Sequence, residues 1–419
     1  MRKYLHRHAR AGNKQSAVSD YPLPYKRSSV AITAAGLISP LGRNLLETRA
    51  ALREGRDCVT PVSRFDVSKC RCHTAGQIPD ETLSGLIAGR ADRRLNRASL
   101  MMIAAMRDLM EQDRGFAPEL MVIGTTSGGM TFGESFFRSI IGKTSRKPHA
   151  AWLANYSPQK QVLDAQEIAG FSVPTQIIAN ACASGTNAIG HAFSLVQSGK
   201  YRRVLCGGYD AISELVFAGF DALQASTPEK IRPFDKGRSG LVLGEGAALL
   251  ALESWDDAVR RGATILAKVT GYGLSTDNHH LTQPHPSGIG PLQAMERALK
   301  SAGRAASEVD YINAHGTATP FNDATEGAAI AQLFGRTPLS STKSMMGHSL
   351  GAAGAIEAAF CVLALRDQFM PPNINFQECD PQWNLDVVAN QARNARLECV
   401  LSNSFGFGGT NATIVLEKA

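Results

Sequence analysis

One cysteine and two histidines sit where side chains can do chemistry. Cys182 lies in Ala181-Cys182-Ala183-Ser184-Gly185, between an apolar strand-like run (Thr175 to Ala179) and a helix-like run closed by Gly199. A helix N-terminus presents free N–H groups and a partial positive charge, which favour thiolate over thiol. Taken alone, Cys182 reads equally well as a small packing residue. His315 lies in Tyr311-Ile312-Asn313-Ala314-His315-Gly316-Thr317-Ala318-Thr319-Pro320, where a short apolar strand (Val309 to Ala314) ends in a Gly/Thr turn. Side chains at such strand ends project into a crevice. His348 lies in Ser341-Thr342-Lys343-Ser344-Met345-Met346-Gly347-His348-Ser349-Leu350-Gly351, ahead of a helix expected from about Ala352 to Leu365. A lone histidine is more often structural than reactive. Three reactive groups, each at an element terminus beside glycines, are harder to dismiss.

The elements around them must hold these groups in place. The helix after His348 is apolar nearly all round, as buried helices are, and Glu357 is its only charge before Arg366. A buried carboxylate needs a partner, and Lys343 is the candidate. Near the C-terminus, Asn403-Ser404-Phe405-Gly406-Phe407-Gly408-Gly409-Thr410-Asn411 precedes a strand-like Ala412 to Leu416. Three glycines in four positions let backbone approach a ligand and aim N–H groups at a developing oxyanion. A phosphate-cradling reading fails because the Gly-Lys-Ser/Thr ending is absent and a strand follows in place of a helix.

Together, the Cys182 segment, His315-Gly316-Thr317, Lys343 with Gly347-His348, and the loop from Gly406 to Asn411 resemble the elongating Cys-His-His β-ketoacyl-acyl-carrier-protein synthases, from about Ser29 to Ala419. The resemblance implies a thiolase-like α/β fold, αβαβα layers in two pseudo-symmetric halves. It implies that Cys182 takes an acyl chain from carrier-protein phosphopantetheine, and that His315 and His348, as neutral imidazoles, promote decarboxylation of a malonyl thioester. It assigns the backbone N–H groups of Cys182 and Phe407 to an oxyanion hole and Lys343 with Glu357 to a supporting ion pair. Thr317 and Thr319 match pantetheine contacts, Phe407 an aromatic gate, and Phe405 and Gly408 neighbouring substrate-binding positions. Asp323 and Glu326 match acidic positions of structural role. No cofactor bound by the enzyme is implied, only substrates carried on the phosphopantetheine of an acyl carrier protein.

Competing readings are weaker. Gly347-His348-Ser349-Leu350-Gly351 satisfies the G-x-S-x-G elbow of serine hydrolases, but no histidine follows His348 to serve as its base. A thiolase needs a second cysteine near the C-terminus, and Cys399 precedes the glycine loop. A non-catalytic partner subunit, the chain-length factor of paired synthases, would lack the nucleophile.

The 419 residues, 44% hydrophobic, suffice for one large unit, and the halves are placed at 29–268 and 269–419. The net charge of +7 sits mostly in residues 1–28, where seven basic residues face only Asp20. That segment reads as a disordered basic tail, although its composition also resembles an organellar transit peptide. The body is then no nucleic-acid binder. Arg93-Arg94 with Arg97, Arg146-Lys147 and Arg202-Arg203 remain as candidate docking clusters for an acidic carrier protein. Eight unclustered cysteines fit a reducing, cytoplasmic setting, and Cys70-Arg71-Cys72-His73 lacks a second cluster for a metal. No membrane association is expected. A homodimer is expected, or a heterodimer with a chain-length-factor-like homologue. Ala222-Leu223-Gln224-Ala225-Ser226-Thr227 lacks the arginine usual in fatty-acid-elongating relatives, and this leans toward polyketide or polyene synthesis without deciding it.

Overall fold

Strand β1 (Val30–Ile38) is buried at every position, the pattern of a strand covered on both faces. It lies near the middle of a ten-stranded sheet in the computed structural model, which describes residues 29–84, 86, 95–142 and 151–419. The basic tail, Arg93-Arg94 and Arg146-Lys147 lie outside the described residues. The other strands, in chain order, are β2 (Leu120–Gly124), β3 (Thr175–Ile178), β4 (Arg203–Asp210), β5 (Gly246–Ser254), β6 (Ala267–Thr276), β7 (Tyr311–Asn313), β8 (Leu339–Ser340), β9 (Cys399–Gly406) and β10 (Thr410–Glu417).

Their spatial order is β8-β7-β9-β10-β6-β1-β5-β4-β2-β3. The first five strands thus run 3-2-4-5-1 from the edge inward, and the second five repeat that order. Pairing repeats as well. The β2–β3 and β2–β4 pairs are parallel, while β4–β5 and β5–β1 are antiparallel. Likewise β7–β8 and β7–β9 are parallel, while β9–β10 and β10–β6 are antiparallel. An antiparallel β1–β6 pair joins the halves.

The helices that build the site are α1 (Arg97–Gln112), α2 (Met130–Ile141), α3 (Pro158–Ala169), α4 (Ser184–Gln197), α5 (Glu214–Ala222), α6 (Ile289–Ala302), α7 (Pro320–Phe334) and α8 (Ala353–Asp367). α4 and α8 pack on each other and on strands of both halves, so they form a central layer. α1 and α3 cover the outer face of the first half, and α6 and α7 that of the second. The layering is αβαβα, as expected from the resemblance. Central position explains the composition of α8, whose residues from Ala353 to Leu365 are all buried. No helix among the described residues is long and apolar enough to cross a membrane.

Candidate active site

Cys182 and His315 follow the ends of strands β3 and β7, and His348 follows the short helix Lys343–Met346 that comes after β8. After β3 the chain turns at Ala181, whose φ of 55° is left-handed, before α4 begins at Ser184. A non-glycine residue there is strained, and the surroundings hold it. Ser184 Oγ accepts from the Asn180 N–H (3.0 Å) and donates to the Ala181 carbonyl (2.6 Å). The turn sets Cys182 against the glycine loop, where the backbone N–H groups of Phe407 and of Cys182 itself favour its charged form. A Cβ on Gly406 would lie 3.1 Å from the Cys182 nitrogen, so the glycine loop approaches the nucleophile closely. Burial still dominates the thiol. It pushes Cys182 up to about 11, against the lowering effects of Lys343 and the two N–H groups, and Asp210 pushes the same way as burial. The helix terminus expected to favour thiolate is therefore outweighed by desolvation, and the resting group is a thiol.

His315 and His348 stand edge to face, with centroids 5.3 Å apart and planes at 87°. Both are held well below 6.5, first by burial and then by Lys343, with His348 adding to the effect on His315. They are neutral at pH 7. Nδ1 of His315 and both ring nitrogens of His348 are buried and make no hydrogen bond among the described residues. The His315 backbone N–H donates to Glu326 Oε1 and that of Gly316 to Oε2, each at 2.8 Å. His348 donates its backbone N–H to the Val242 carbonyl at 2.7 Å.

Cys182, His315, His348, Thr317, Thr319, Phe405 and Phe407 line one cleft of about 530 Å³. The Thr317 and Thr319 hydroxyls are 2.9 Å apart, and Phe405 meets the His315 ring edge-on at 5.9 Å. The Lys343–Glu357 ion pair lies behind the histidines in a separate small cavity with Thr342 and Ser349, so it acts on the cleft through its field. Burial raises Glu357 above the usual carboxylate range while Lys343 lowers it. Gly408 does not line the cleft; its N–H donates to the Leu281 carbonyl at 2.7 Å. Asp323 accepts from the Phe234 and Ala318 N–H groups and Glu326 from His315 and Gly316, so both organise backbone.

Ser349 of the G-x-S-x-G match is buried in the rear cavity, away from the cleft. Cys399 begins β9 while Gly406 ends it, which separates that thiol from the cleft by roughly 23 Å of extended strand. Arg97 is buried on Glu245, Arg202 pairs with Glu119, and Arg203 pairs with Glu253 and Asp257. Arg97 and Arg203 are thereby largely covered, whereas the Arg202 side chain stays 66% exposed on its pair.

Sequence reasoning missed Phe220, whose ring stacks on Phe407 at 5.4 Å and 20° in the cleft wall. It also missed Asp277, whose carboxylate accepts from Asn411 Nδ2 at 2.7 Å and whose N–H donates to the Gly409 carbonyl at 2.8 Å, tying the glycine loop to the wall. A buried thiol, two neutral imidazoles and two convergent N–H groups suit acyl transfer to sulfur followed by stabilisation of developing negative oxygen.

Comparison with known proteins follows the same lines. Residues 27–258 match the family described as "Beta-ketoacyl synthase, N-terminal domain", and 266–377 match its C-terminal domain. A relative from Synechocystis sp., named 3-oxoacyl-[acyl-carrier-protein] synthase 2, is 36% identical over 94% of this chain and 99% of its own. Among solved structures, the ishigamide ketosynthase/chain length factor is 35% identical with a TM-score of 0.89, covering 94% of this chain and 100% of that one. A type II polyketide ketosynthase solved with its acyl-carrier protein is 26% identical with a TM-score of 0.85, again over 94% and 100%.

Proposed function

This chain belongs to the β-ketoacyl synthase family, and from that premise we propose that its cleft condenses a Cys182-bound acyl chain with a malonyl group carried on acyl carrier protein. The observation that carries the reading is the cleft that unites Cys182, His315 and His348 with Phe407.

The steps are those that the family's chemistry implies for these residues. Cys182 sulfur attacks the acyl thioester; a new carbon–sulfur bond forms, and the departing pantetheine sulfur takes the thiol proton. Because the resting nucleophile is a thiol, this proton must move as attack proceeds. Malonyl thioester then loses carbon dioxide, and the bond's electron pair becomes an enolate whose oxygen accepts hydrogen bonds from the neutral imidazoles of His315 and His348. The enolate carbon attacks the Cys182 thioester. The oxyanion of the tetrahedral adduct sits on the N–H groups of Cys182 and Phe407, and collapse expels the sulfur as thiolate, which takes a proton from water. The product is a β-ketoacyl thioester on the carrier.

Thr317 and Thr319 guide pantetheine, Phe405 and Phe407 shape the approach, and Lys343 with Glu357 set the potential behind the histidines. No bound cofactor is needed, and the halves divide near residue 268, at the start of β6. The setting is cytoplasmic.

A second reading concerns assembly. Phe137 and Leu215 are 63% and 60% exposed and line an apolar groove between α2 and α5. Such a face fits a second subunit of the same fold. It is a second copy or, by likeness to the ishigamide ketosynthase/chain length factor, a chain-length-factor homologue, which would place the chain in polyketide or polyene synthesis rather than fatty-acid elongation.

Intact-mass spectrometry after mixing with acyl-carrier thioesters and then malonyl-carrier tests the chemistry. Wild type is expected to gain the acyl mass and lose it to a β-ketoacyl product, and Cys182→Ala to gain nothing. Acylation of the alanine variant, or none of wild type with a suitable partner present, would overturn the reading.

A further inference from the structure

The loop between β6 and α6 contributes Thr282, Gln283 and Pro284 to the cleft, and the chemistry above gives it no task. Of the residues that line the cleft, Gln283 and Phe321 alone are exposed, so the mouth is framed by this loop on one side and by the start of α7 on the other. On the proposed reading a pantetheine arm enters there, with its thioester at Cys182, its amides at Thr317 and Thr319, and its phosphodiester last. That last group carries a negative charge. The cleft lining holds no lysine or arginine to meet it, and its one carboxylate, Asp277, is buried in the wall. Like charge keeps an anion out of the inner cleft and leaves it at the rim.

The rim on the loop side carries three histidines, and two of them make the same turn. His280 Nδ1 accepts from the Thr282 N–H at 3.1 Å, with Thr282 Oγ1 at 3.4 Å. His285 Nδ1 accepts from the Ser287 N–H at 3.2 Å and from Ser287 Oγ at 2.8 Å. A backbone N–H can only donate, so Nδ1 is the acceptor in both rings and Nε2 carries the ring proton. No group among the described residues takes either Nε2 donor. His279 packs against His285 edge to face, with centroids 4.9 Å apart, which restrains that ring.

The loop is also held from behind. Asp277 Oδ2 accepts from the His285 N–H at 3.1 Å while Oδ1 accepts from Asn411 Nδ2 at 2.7 Å, and the Leu281 carbonyl accepts from the Gly408 N–H at 2.7 Å. His280 and His285 thus flank the three lining residues with their ring donors assigned before any ligand arrives, which lowers the ordering cost of binding.

We propose that His280 and His285 form the subsite for the phosphate of the carrier's pantetheine arm, each donating from Nε2 to a phosphate oxygen. This subsite rests on the condensing reading and deepens it by naming where the charged end of the arm is held.

The test uses the full-length protein and two arm analogues in which an amide replaces the thioester. One ends in the 4′-phosphate as its methyl diester, the charge it has on the carrier, and the other in the free hydroxyl. Isothermal titration calorimetry on wild type is expected to show the phosphorylated arm binding about tenfold tighter, with the gain shrinking as salt is raised. In the double variant His280→Asn, His285→Asn the asparagine oxygen can still accept the turn's N–H, but the ring donor is gone. The double variant should bind both arms alike, at the affinity wild type has for the unphosphorylated one. In acylation by acyl-carrier its KM should rise about tenfold with kcat nearly unchanged, the signature of a contact made equally in ground and transition states. Retention of the tenfold gain by the double variant would overturn the subsite. Equal loss of both arms, or a fall in kcat with KM unmoved, would do the same by assigning the histidines to the loop's shape or to the chemistry. The wild-type comparison needs no variant, so a variant that fails to fold does not shield the idea. Equal binding of the two arms by wild type sinks the subsite alone, whereas binding of neither arm would count against the condensing reading and take the subsite with it.

Discussion

In the proposed condensation His315 and His348 act as uncharged donors, and their surroundings favour that state. Burial removes the water that would stabilise imidazolium, and the Lys343 ammonium behind both rings adds a like charge. Decarboxylation of malonyl-carrier should therefore hold steady as pH falls through 6.5, the ordinary value for histidine, and fail only well below it. The same depression acts on stability. Unfolded histidines take protons below 6.5 while the folded ones refuse them, so the stability that neutral burial contributes is complete above 6.5 and is lost as pH falls toward the folded values. Lys343→Met removes the like charge and should shift the acid limb of carbon dioxide release to higher pH. It should also cost about 3–5 kcal/mol in denaturant unfolding, because Glu357 is left buried without its partner. An unmoved acid limb would rule out Lys343 as the source of the depression. The three candidate reactive residues were legible because each is announced by its own neighbours, glycines at an element terminus. Phe220 was not, since its meaning depends on Phe407, a residue almost half the chain away.

Elements carry the next layer of specification. The uniform apolarity of α8 announced a central helix, and its one interior charge announced Lys343. α7 shows the limit of such reading, because its pattern does not reveal that Glu326 reaches back to hold the turn carrying His315. Oε1 accepts from the His315 N–H and Asn403 Nδ2; Oε2 accepts from the Gly316 N–H and Asn322 Nδ2. Burial, opposed by these donors, pushes Glu326 up to about 7. A raised carboxyl stabilises the fold most below 4.5, the unfolded value, and this contribution is lost as pH rises toward 7. Glu326→Gln keeps shape and removes charge, but either orientation of its amide sets an NH₂ group against two donors. The variant should lose about 2–3 kcal/mol at pH 8 in urea unfolding and lower condensation by displacing His315. If stability at pH 8 is unchanged, the four donors do not need a carboxylate.

At the scale of the molecule, the repeated 3-2-4-5-1 strand order explains why the site needs both halves. Equivalent strand ends converge on the central α4–α8 layer, the first half delivering Cys182 and the second delivering His315 and His348. That repeat was barely visible in residue types, because the two halves share topology and not side chains. Exposed apolar surface was equally hidden, since residue types do not say which apolar positions of α2 the fold leaves uncovered. In the fold Phe137 stays exposed beside Leu215 of α5. α5 separates this groove from the cleft: Leu215 and Ala218 line the groove, while Phe220 lines the cleft and stacks on Phe407. A subunit seated in the groove would thus press on the helix that forms one wall of the acyl site, coupling association to catalysis. The double variant Phe137→Asp, Leu215→Asp places charge on positions that the folded chain already exposes, so the fold should survive with little change in circular dichroism. Sedimentation equilibrium is expected to show wild type associating with itself or with its co-expressed homologue, and the double variant sedimenting as a monomer. Condensation should fall with association, and addition of excess partner should not restore it. Unchanged association in the variant would place the interface elsewhere, and a monomer with full activity would break the proposed coupling through α5.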